Sequence, residues 1–270
     1  MKPPVALTIA GSDSGGGAGI QADLKTFAAL GVHGTSAITA VTAQNTMTVT
    51  DVVEIPPASV RAQIDAVVTD LAPAASKTGM LSSAEIIATV ASAVHDHGLR
   101  LLVVDPVMVA KGGARLLRED AVAALRSRLL PLAAVMTPNL PEAEVLLELE
   151  PGSLEAAGAI EVRRHAAVAL RDLGAAAVVL KGGHAAREEE SVDLFYDGRE
   201  LVELRARRVP TGNTHGSGCV FSAAITAELS KGRDVAQAVA TAKAFIQSAI
   251  AASFELGHGH GPVNPLHSLP

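Results

Sequence analysis

The sequence predicts a three-layer α/β/α fold, in which helices cover both faces of a mostly parallel central sheet. Short apolar runs alternate with longer amphipathic runs along the 270 residues, which is the pattern of repeated strand–helix units. Several short runs are apolar at every position, as expected for strands buried on both faces. Glycine or proline stands where several helical runs are expected to stop, at Gly31, Gly98, Pro131 and Gly174.

The predicted elements follow this alternation from end to end. Strands are predicted over residues 5–10, 35–41, 75–79, 100–105, 133–137 and 176–181. Helices are predicted over residues 19–30, 57–71, 83–97, 119–130, 140–149, 154–173, 216–231 and 234–254.

An antiparallel edge is expected near residue 197. Residues 191–196 and 200–205 flank Asp197 and Gly198, a pair typical of a two-residue hairpin turn. No linker, internal repeat or low-complexity segment interrupts the chain, so one domain is predicted over residues 1–270.

The composition favours a cytoplasmic protein and argues against membrane and nucleic-acid partners. No apolar run approaches the ~20 residues that cross a bilayer, so no membrane contact is expected. The single cysteine fits a reducing compartment. A net charge of −6 without a dense Lys/Arg cluster, and the absence of tryptophan, argue against nucleic acid as a partner.

Residues 213–219 are the most informative segment. Two glycines flank a hydroxyl residue in Gly216-Ser217-Gly218, and an apolar helical run begins at once. The N–H groups of residues 216–219 would converge at a helix N-terminus, which stabilises an anion. The same field is expected to lower the pKa of the Cys219 thiol. The alternative is a glycine-rich helix start with a buried cysteine.

Other unusual residues lie in the loops after the predicted strands, where ligands bind in such sheets. The first loop, residues 11–19, is rich in glycine but lacks the Gly-Lys-Ser/Thr ending of a P-loop. We interpret it as the lid or floor of a small-ligand site, with a flexible connector as the alternative. The remaining loops are 42–45, 105–108, 137–142 and 181–184.

Three of these loops carry residues suited to metal or base recognition. Asn139 and Glu142 share one face at a helix start and could hold a hydrated Mg²⁺, although helix capping explains the same pair. Asp105 ends an apolar run, as a metal-linked acid or a loop cap. Gln44 offers one acceptor and two donors, enough to read an aminopyrimidine edge. His215 is expected to orient the anion-binding loop.

Taken together, the chain resembles the hydroxymethylpyrimidine/phosphomethylpyrimidine kinases of thiamine biosynthesis, within the ribokinase-like superfamily. The resemblance extends over essentially the whole chain. It is carried by TIAGSD (8–13), GGAGIQAD (16–23), AVTAQN (40–45), KTGM (77–80), DPVMVAK (105–111), TPNLPEA (137–143), KGGH (181–184) and NTHGSGC (213–219).

For the acceptor pocket, the resemblance implies that Gln44 reads the pyrimidine. It places Asp23, Met80, Val107 and the backbone at Gly11 around the same ring.

On the nucleotide side, the resemblance implies that Asn139 and Glu142 organise Mg²⁺–ATP. Asp105 and Lys181 are then expected near the phosphates, with Thr211 lining the nucleotide pocket. A requirement for a monovalent cation stays open.

The resemblance makes the amides of residues 216–219 the anion hole. Cys219 stands where most ribokinase-like enzymes carry an aspartate base. The family commonly has threonine at position 217, and Ser217 keeps the hydroxyl.

The implied activity is ATP-dependent phosphorylation of 4-amino-5-hydroxymethyl-2-methylpyrimidine, first to the monophosphate and then to the diphosphate. The enzymatic alternative is a pyridoxine/pyridoxal kinase, because both substrates are flat rings bearing a hydroxymethyl group. A ligand-sensing domain without catalysis is disfavoured by the intact Gly216, Gly218, Asn139 and Glu142 set. The superfamily suggests a homodimer.

Overall fold

A computed structural model describes residues 2–109, 116–156, 158–183 and 189–268. Its centre is a nine-stranded sheet of order β3-β2-β1-β4-β5-β6-β7-β8-β9. The six strands from β2 to β7 in this order run parallel, whereas β3, β8 and β9 pair antiparallel at the two edges. Ala110, Lys111 and His184 of the sequence motifs lie outside the described residues.

The elements have the following bounds. The strands are β1 Val5–Asp13, β2 His33–Gln44, β3 Val49–Glu54, β4 Ala75–Thr78, β5 Leu102–Val104, β6 Val135–Met136, β7 Val178–Leu180, β8 Glu190–Tyr196 and β9 Leu201–Arg207. The helices are α1 Gly19–Ala29, α2 Pro57–Leu71, α3 Ala84–Asp96, α4 Glu119–Ala124, α5 Leu140–Leu147, α6 Ile160–Arg171, α7 Ser217–Ser230 and α8 Val235–Ala251.

Two hydrophobic cores lie on opposite faces of the sheet. Helices α2 to α6 pack on one face, and α1, α7 and α8 pack on the other. Successive residues of the inner strands enter different cores: Leu102 and Val104 belong to the first, and Val103 to the second. This double burial explains why the inner strands are apolar without alternation, and the predicted three-layer architecture is confirmed.

Every predicted element is present in the structure, but one strand was missed and several bounds differ, as for β2, which was predicted over 35–41 and runs over His33–Gln44. Strand β3 was not predicted, because an exposed edge strand needs no apolar run. The helix expected over 119–130 is shorter, since a π-helical turn at Leu125–Leu129 and a 3₁₀ turn at Leu130–Leu132 follow α4. The helix expected from residue 154 begins at Ile160, and β1 continues to Asp13. The predicted hairpin is present as β8 and β9.

The parallel strands bring the motif loops to one edge of the sheet. Gln44 ends β2, and Asp105 and Lys181 directly follow β5 and β7. Helix α7 packs on one face of the sheet. Its N-terminal end lies over the same edge, where Gly218 is close to Lys181 and Asp105. Among the described residues, no helix is both long and apolar enough to span a membrane.

Candidate active site

An aspartate–lysine pair lies at the centre of the edge. Asp105 Oδ1 accepts hydrogen bonds from Lys181 Nζ at 2.9 Å and from Thr137 Oγ1 at 3.1 Å. Ser222 Oγ of α7 donates to the other oxygen at 3.3 Å. Burial favours the neutral acid, but Lys181 and Lys77 together with these hydrogen bonds outweigh it and lower the pKa of Asp105. The pair therefore carries both charges in a nearly dry site.

Asn139 and Glu142 form a reciprocal cap at the start of α5. The Asn139 side chain accepts from Glu142 N at 2.8 Å, and the Glu142 carboxylate accepts from Asn139 N at 2.8 Å. The capping alternative is thus realised in the structure. Burial raises the pKa of Glu142 to about 7. The charge of Lys181 partly offsets this increase, and the charge of Asp105 adds to it.

This donor set fits a magnesium ion. Burial is the main cause of the raised pKa of Glu142 and Lys181 offsets it only in part, so a divalent cation at this carboxylate would stabilise its charged form. Within the described ranges, no group of three or more His, Cys, Asp or Glu side chains could hold a metal. Few protein ligands are what Mg²⁺ uses when waters and substrate phosphates complete its shell.

The N-terminus of α7 lies against the aspartate–lysine pair. A β-carbon built at Gly218 would lie 3.2 Å from Lys181 Nζ and 3.7 Å from an Asp105 oxygen. Gly216 has a φ of +77° and a β-carbon there would lie 1.8 Å from Gly17 O, so only glycine fits. Gly218 thus allows the backbone to approach the charged centre, and Gly216 allows it to approach the loop at Gly17.

Amide groups at this N-terminus are free to bind an anion. Ser217 N donates to Thr214 O at 3.2 Å, so one of the four predicted donors is engaged. Among the described residues, no acceptor takes the N–H of Gly216, Gly218 or Cys219, and no side chain caps α7. An anion placed here would gain these donors and the positive end of the helix dipole.

The expected low pKa of Cys219 is wrong. Burial raises the pKa of the thiol to about 12, and the carboxylates of Asp23 and Asp105 add to the increase. Lys77 and a backbone hydrogen bond from Gly19 act in the opposite direction without cancelling burial. A helix end stabilises a thiolate only where water or charge compensates its desolvation.

The structure brings together Gly11 and Met80, two of the residues predicted to surround the acceptor ring. A β-carbon at Gly11 would lie 3.2 Å from Met80 Sδ, so the two residues are adjacent. Val107 N donates to Asp105 O at 2.8 Å, which keeps this residue beside the charged centre.

Gln44 is half-buried at the end of β2. Its Oε1 accepts from Thr42 Oγ1 at 3.1 Å. Within the described residues its amide nitrogen meets no acceptor and stays available to a ligand.

Asp23 is fully buried rather than open to the pocket. Thr8 Oγ1 donates to one carboxylate oxygen at 2.6 Å, and Lys77 Nζ donates to the other at 2.8 Å. Burial disfavours the charge on Lys77, but the carboxylates of Asp23 and Asp105 outweigh it and raise the pKa of Lys77. Sequence reasoning gave Lys77 no role, although a lysine inside a strand buried on both faces requires an acidic partner.

Among the described residues, no hydrogen bond joins Thr211 to the aspartate–lysine pair. Its hydroxyl accepts from Asn213 N at 3.1 Å. It lines a polar cavity of about 380 Å³, together with residues 210–213 and 255–259.

Asp13 and His215 form a contact that the sequence did not indicate. His215 Nε2 lies 3.0 Å from Asp13 Oδ2, although the residues are 202 positions apart. Burial opposes the charge on Asp13, but the hydrogen bonds from His215, Ala18 and Gly15 lower its pKa.

An anion-binding helix end over a buried aspartate–lysine pair, at the carboxyl edge of this sheet, defines a phosphotransferase of the ribokinase-like class. The phosphomethylpyrimidine kinase family model matches residues 13–264. The hydroxymethylpyrimidine/phosphomethylpyrimidine kinase of Rhizobium meliloti is 53% identical over 97% of both chains. That of Bacillus subtilis is 48% identical over 96% of this chain and 93% of its own. The chain belongs to the phosphomethylpyrimidine kinase family.

Solved structures of two activities share this fold. The ADP complex of Bacillus subtilis pyridoxal kinase superposes with a TM-score of 0.89 at 40% identity, over 99% of this chain and 98% of that one. Clostridium difficile phosphomethylpyrimidine kinase superposes with a TM-score of 0.76 at 38% identity, over 90% of this chain and 98% of that one.

Proposed function

We propose that this chain phosphorylates 4-amino-5-hydroxymethyl-2-methylpyrimidine with ATP, and then phosphorylates the monophosphate to the diphosphate. The observation that carries the proposal is family membership over almost the whole chain, together with an anion-binding helix end placed over Asp105 and Lys181. ADP and a non-hydrolysable ATP analogue occur in the complexes of related kinases, which supports ATP as the phosphoryl donor.

The site residues divide the work between charge stabilisation and positioning. The free amides of Gly218 and Cys219 and the Lys181 ammonium face the place where phosphoryl charge would develop. Glu142 and Asn139 would hold Mg²⁺, which neutralises phosphate charge when bound. Asp105 keeps Lys181 charged and oriented. A monovalent cation remains a further candidate for this side.

Cys219 takes a modest role in this scheme. Its thiol is protonated at neutral pH, because burial raises the pKa to about 12. We therefore assign it contact with the acceptor hydroxyl rather than strong base catalysis, since phosphoryl transfer has a loose transition state.

The acceptor side is proposed to recognise the ring through few polar contacts. Gln44 supplies a free amide donor, while Gly11, Met80 and Val107 supply backbone and apolar surface. Asp23 acts through Lys77 beneath this surface rather than by touching the ring.

Pyridoxal phosphorylation is the second candidate, favoured by one observation. Bacillus subtilis and Staphylococcus aureus proteins named pyridoxal kinases superpose with TM-scores of 0.89 to 0.90. Pyridoxal lacks the amine next to a ring nitrogen that Gln44 complements, so we expect the pyrimidine to be preferred.

Incubation of the pure protein with ATP, Mg²⁺ and each alcohol tests both candidates. Mass spectrometry should detect pyrimidine mono- and diphosphate together with ADP. Gly218→Ala should lose this turnover while keeping its circular dichroism spectrum, because the added methyl group meets Lys181 Nζ. Turnover of pyridoxal alone would transfer the assignment to the second candidate.

We also infer a homodimer in the cytoplasm. Exposed apolar side chains on the β2–β3 hairpin support an interface, with exposed fractions of 60% for Met47 and 57% for Val53. A single free cysteine supports a reducing compartment. Light scattering coupled to size exclusion tests the dimer, and a monomer peak at micromolar concentration would contradict it.

A further inference from the structure

Asp13, the last residue of β1, holds the glycine-rich loop that follows it through hydrogen bonds to its carboxylate. Its two carboxylate oxygens accept from Gly15 N at 2.8 Å, Gly17 N at 3.1 Å and Ala18 N at 2.8 Å. A fourth hydrogen bond, at 3.0 Å, comes from His215 Nε2. Asp13 is 2% exposed and His215 is 7% exposed, so water hardly competes for the pair. One carboxylate thus shapes the loop and ties it to the anion-binding segment.

The two loops also touch where no side chain has room. A β-carbon at Gly17 would lie 2.4 Å from His215 Cδ2, so the imidazole packs directly on bare backbone. A β-carbon at Gly216 would lie even closer, 1.8 Å from Gly17 O. A shift of the imidazole would therefore move both loops together.

The main chain of His215 makes a second connection toward the acceptor side. His215 N donates to Gly261 O and His215 O accepts from Val263 N, both at 3.1 Å. Just before Gly261 in that C-terminal segment, Gly259 N donates to Thr46 Oγ1 and His260 N donates to Thr46 O. Thr46 lies in the turn that follows Gln44. His215 is therefore linked to loop 11–19 through its side chain and, through residues 259–263, to the turn after Gln44.

We propose that Asp13 and His215 are a positioning pair that sets the distance between the acceptor alcohol and the phosphoryl-binding amides. The inference rests on the proposed phosphorylation of a ring-bound hydroxymethyl group. Neither side chain takes part in the chemical step. Together they hold loop 11–19, which includes Gly11, against the N-terminus of α7. A misplacement of about 1 Å between reacting groups lowers a rate by about 10²-fold.

Two substitutions of His215 test the pair. The amide nitrogen of glutamine reaches the position of Nε2, whereas that of asparagine reaches only the position of Nδ1. His215→Asn should lower kcat by about 10²-fold and change both KM values by less than about threefold. His215→Gln should recover at least about tenfold of that loss, because it restores the donor to Asp13. Rates are normalised to folded protein by thermal unfolding.

A double-mutant cycle shows whether the two residues act as one unit. Asp13→Asn and His215→Asn should each lower kcat, and the double variant should lose little more than either single variant. Gly17→Ala should reproduce the loss without changing Asp13 or His215, and it carries the comparison if His215→Asn does not fold. The matched control is His97→Asn, since His97 Nε2 lies 2.6 Å from Asp65 Oδ1 on helices away from the site. Its kcat should equal that of the unmodified chain.

The outcomes separate this inference from the proposed function. An unmodified chain that phosphorylates neither alcohol contradicts the function itself. An active chain whose His215→Asn variant keeps kcat within about threefold, or whose Asp13 and His215 losses multiply, overturns the positioning pair. Equal losses in the asparagine and glutamine variants also overturn it, because the Nε2 hydrogen bond would then be irrelevant.

Discussion

The proposed phosphate side and the proposed acceptor side of this site are built differently. On the phosphate side, the Asp105–Lys181 ion pair lies against a helix N-terminus, and the buried Glu142 interacts electrostatically with both residues. On the acceptor side, Gln44 is half-buried, and Met47 and Val53 of the adjoining hairpin are exposed. One half is a preorganised electrostatic centre, and the other is a lightly constrained surface.

This difference is consistent with the two activities named among the related kinases of this fold. A buried network of charges tolerates little change, because removing one partner leaves another uncompensated. An acceptor surface with few polar contacts changes specificity at small energetic cost. Proteins named phosphomethylpyrimidine kinase and pyridoxal kinase accordingly share this structure at about 40% identity.

The largest effect is expected from the phosphate side. Glu142→Gln should lower kcat by about 10³-fold, because it removes the carboxylate charge proposed to hold Mg²⁺ beside the transferring phosphoryl group. Steady-state kinetics across Mg²⁺ concentrations measure the loss, and excess Mg²⁺ should restore little. The helix cap survives, since glutamine replaces glutamate in such caps. A variant with more than about a tenth of the original kcat would break the contrast between the two sides.

The same carboxyl should control the pH dependence of stability. The pKa of Glu142 rises from 4.5 to about 7 on folding, so the protonated acid favours the folded state. Its contribution is complete below pH 4.5 and is lost as pH rises to about 7, on the order of 3 kcal/mol.

Glu142→Gln should remove this dependence and be more stable than the unmodified apoprotein at pH 8. Urea unfolding at pH 5 and pH 8 measures it. Equal pH profiles for both proteins would show that Glu142 does not titrate in this window.

Cys219 should matter less than Glu142. Cys219→Ser should lower kcat by about 10²-fold at most, because a thiol with a pKa of about 12 is a poor base at pH 7 and the backbone donors remain. The rate of iodoacetamide alkylation should stay low but rise about tenfold per pH unit from pH 7 to pH 9, without levelling off, because only the thiolate reacts. A rate that levels off by pH 8 would instead show a thiolate at neutral pH and restore a base role.

The smallest effect is expected at Gln44. Gln44→Leu should lower kcat/KM for the pyrimidine by about tenfold and leave that for pyridoxal nearly unchanged, since one hydrogen-bond pairing is lost. Competition between the two alcohols measures the ratio. An equal loss for both would mean that Gln44 supports the loop rather than reading the ring.

Much of the fold was predictable because its signals are local. Continuous apolar runs marked β5 and β7, and Asp197-Gly198 marked the hairpin of β8 and β9. Strand β3 escaped because its stability comes from pairing with β2 rather than from burial. The helix predicted to Leu130 ends early, because the chain passes into a π-helical turn at Leu125–Leu129 and then into a 3₁₀ turn that contains Pro131.

By itself, the sequence determined the three layers, the edge of the sheet that carries the site, and the glycine-rich start of α7. These follow from periodicity and from backbone rules that act within a few residues. Only the tertiary structure decided the ionisation of Cys219 and Glu142, the Asp23–Lys77 pair and the contact of Asp13 with His215. Desolvation depends on which distant segments pack over a group, and the two residues of the last contact are 202 positions apart in the sequence.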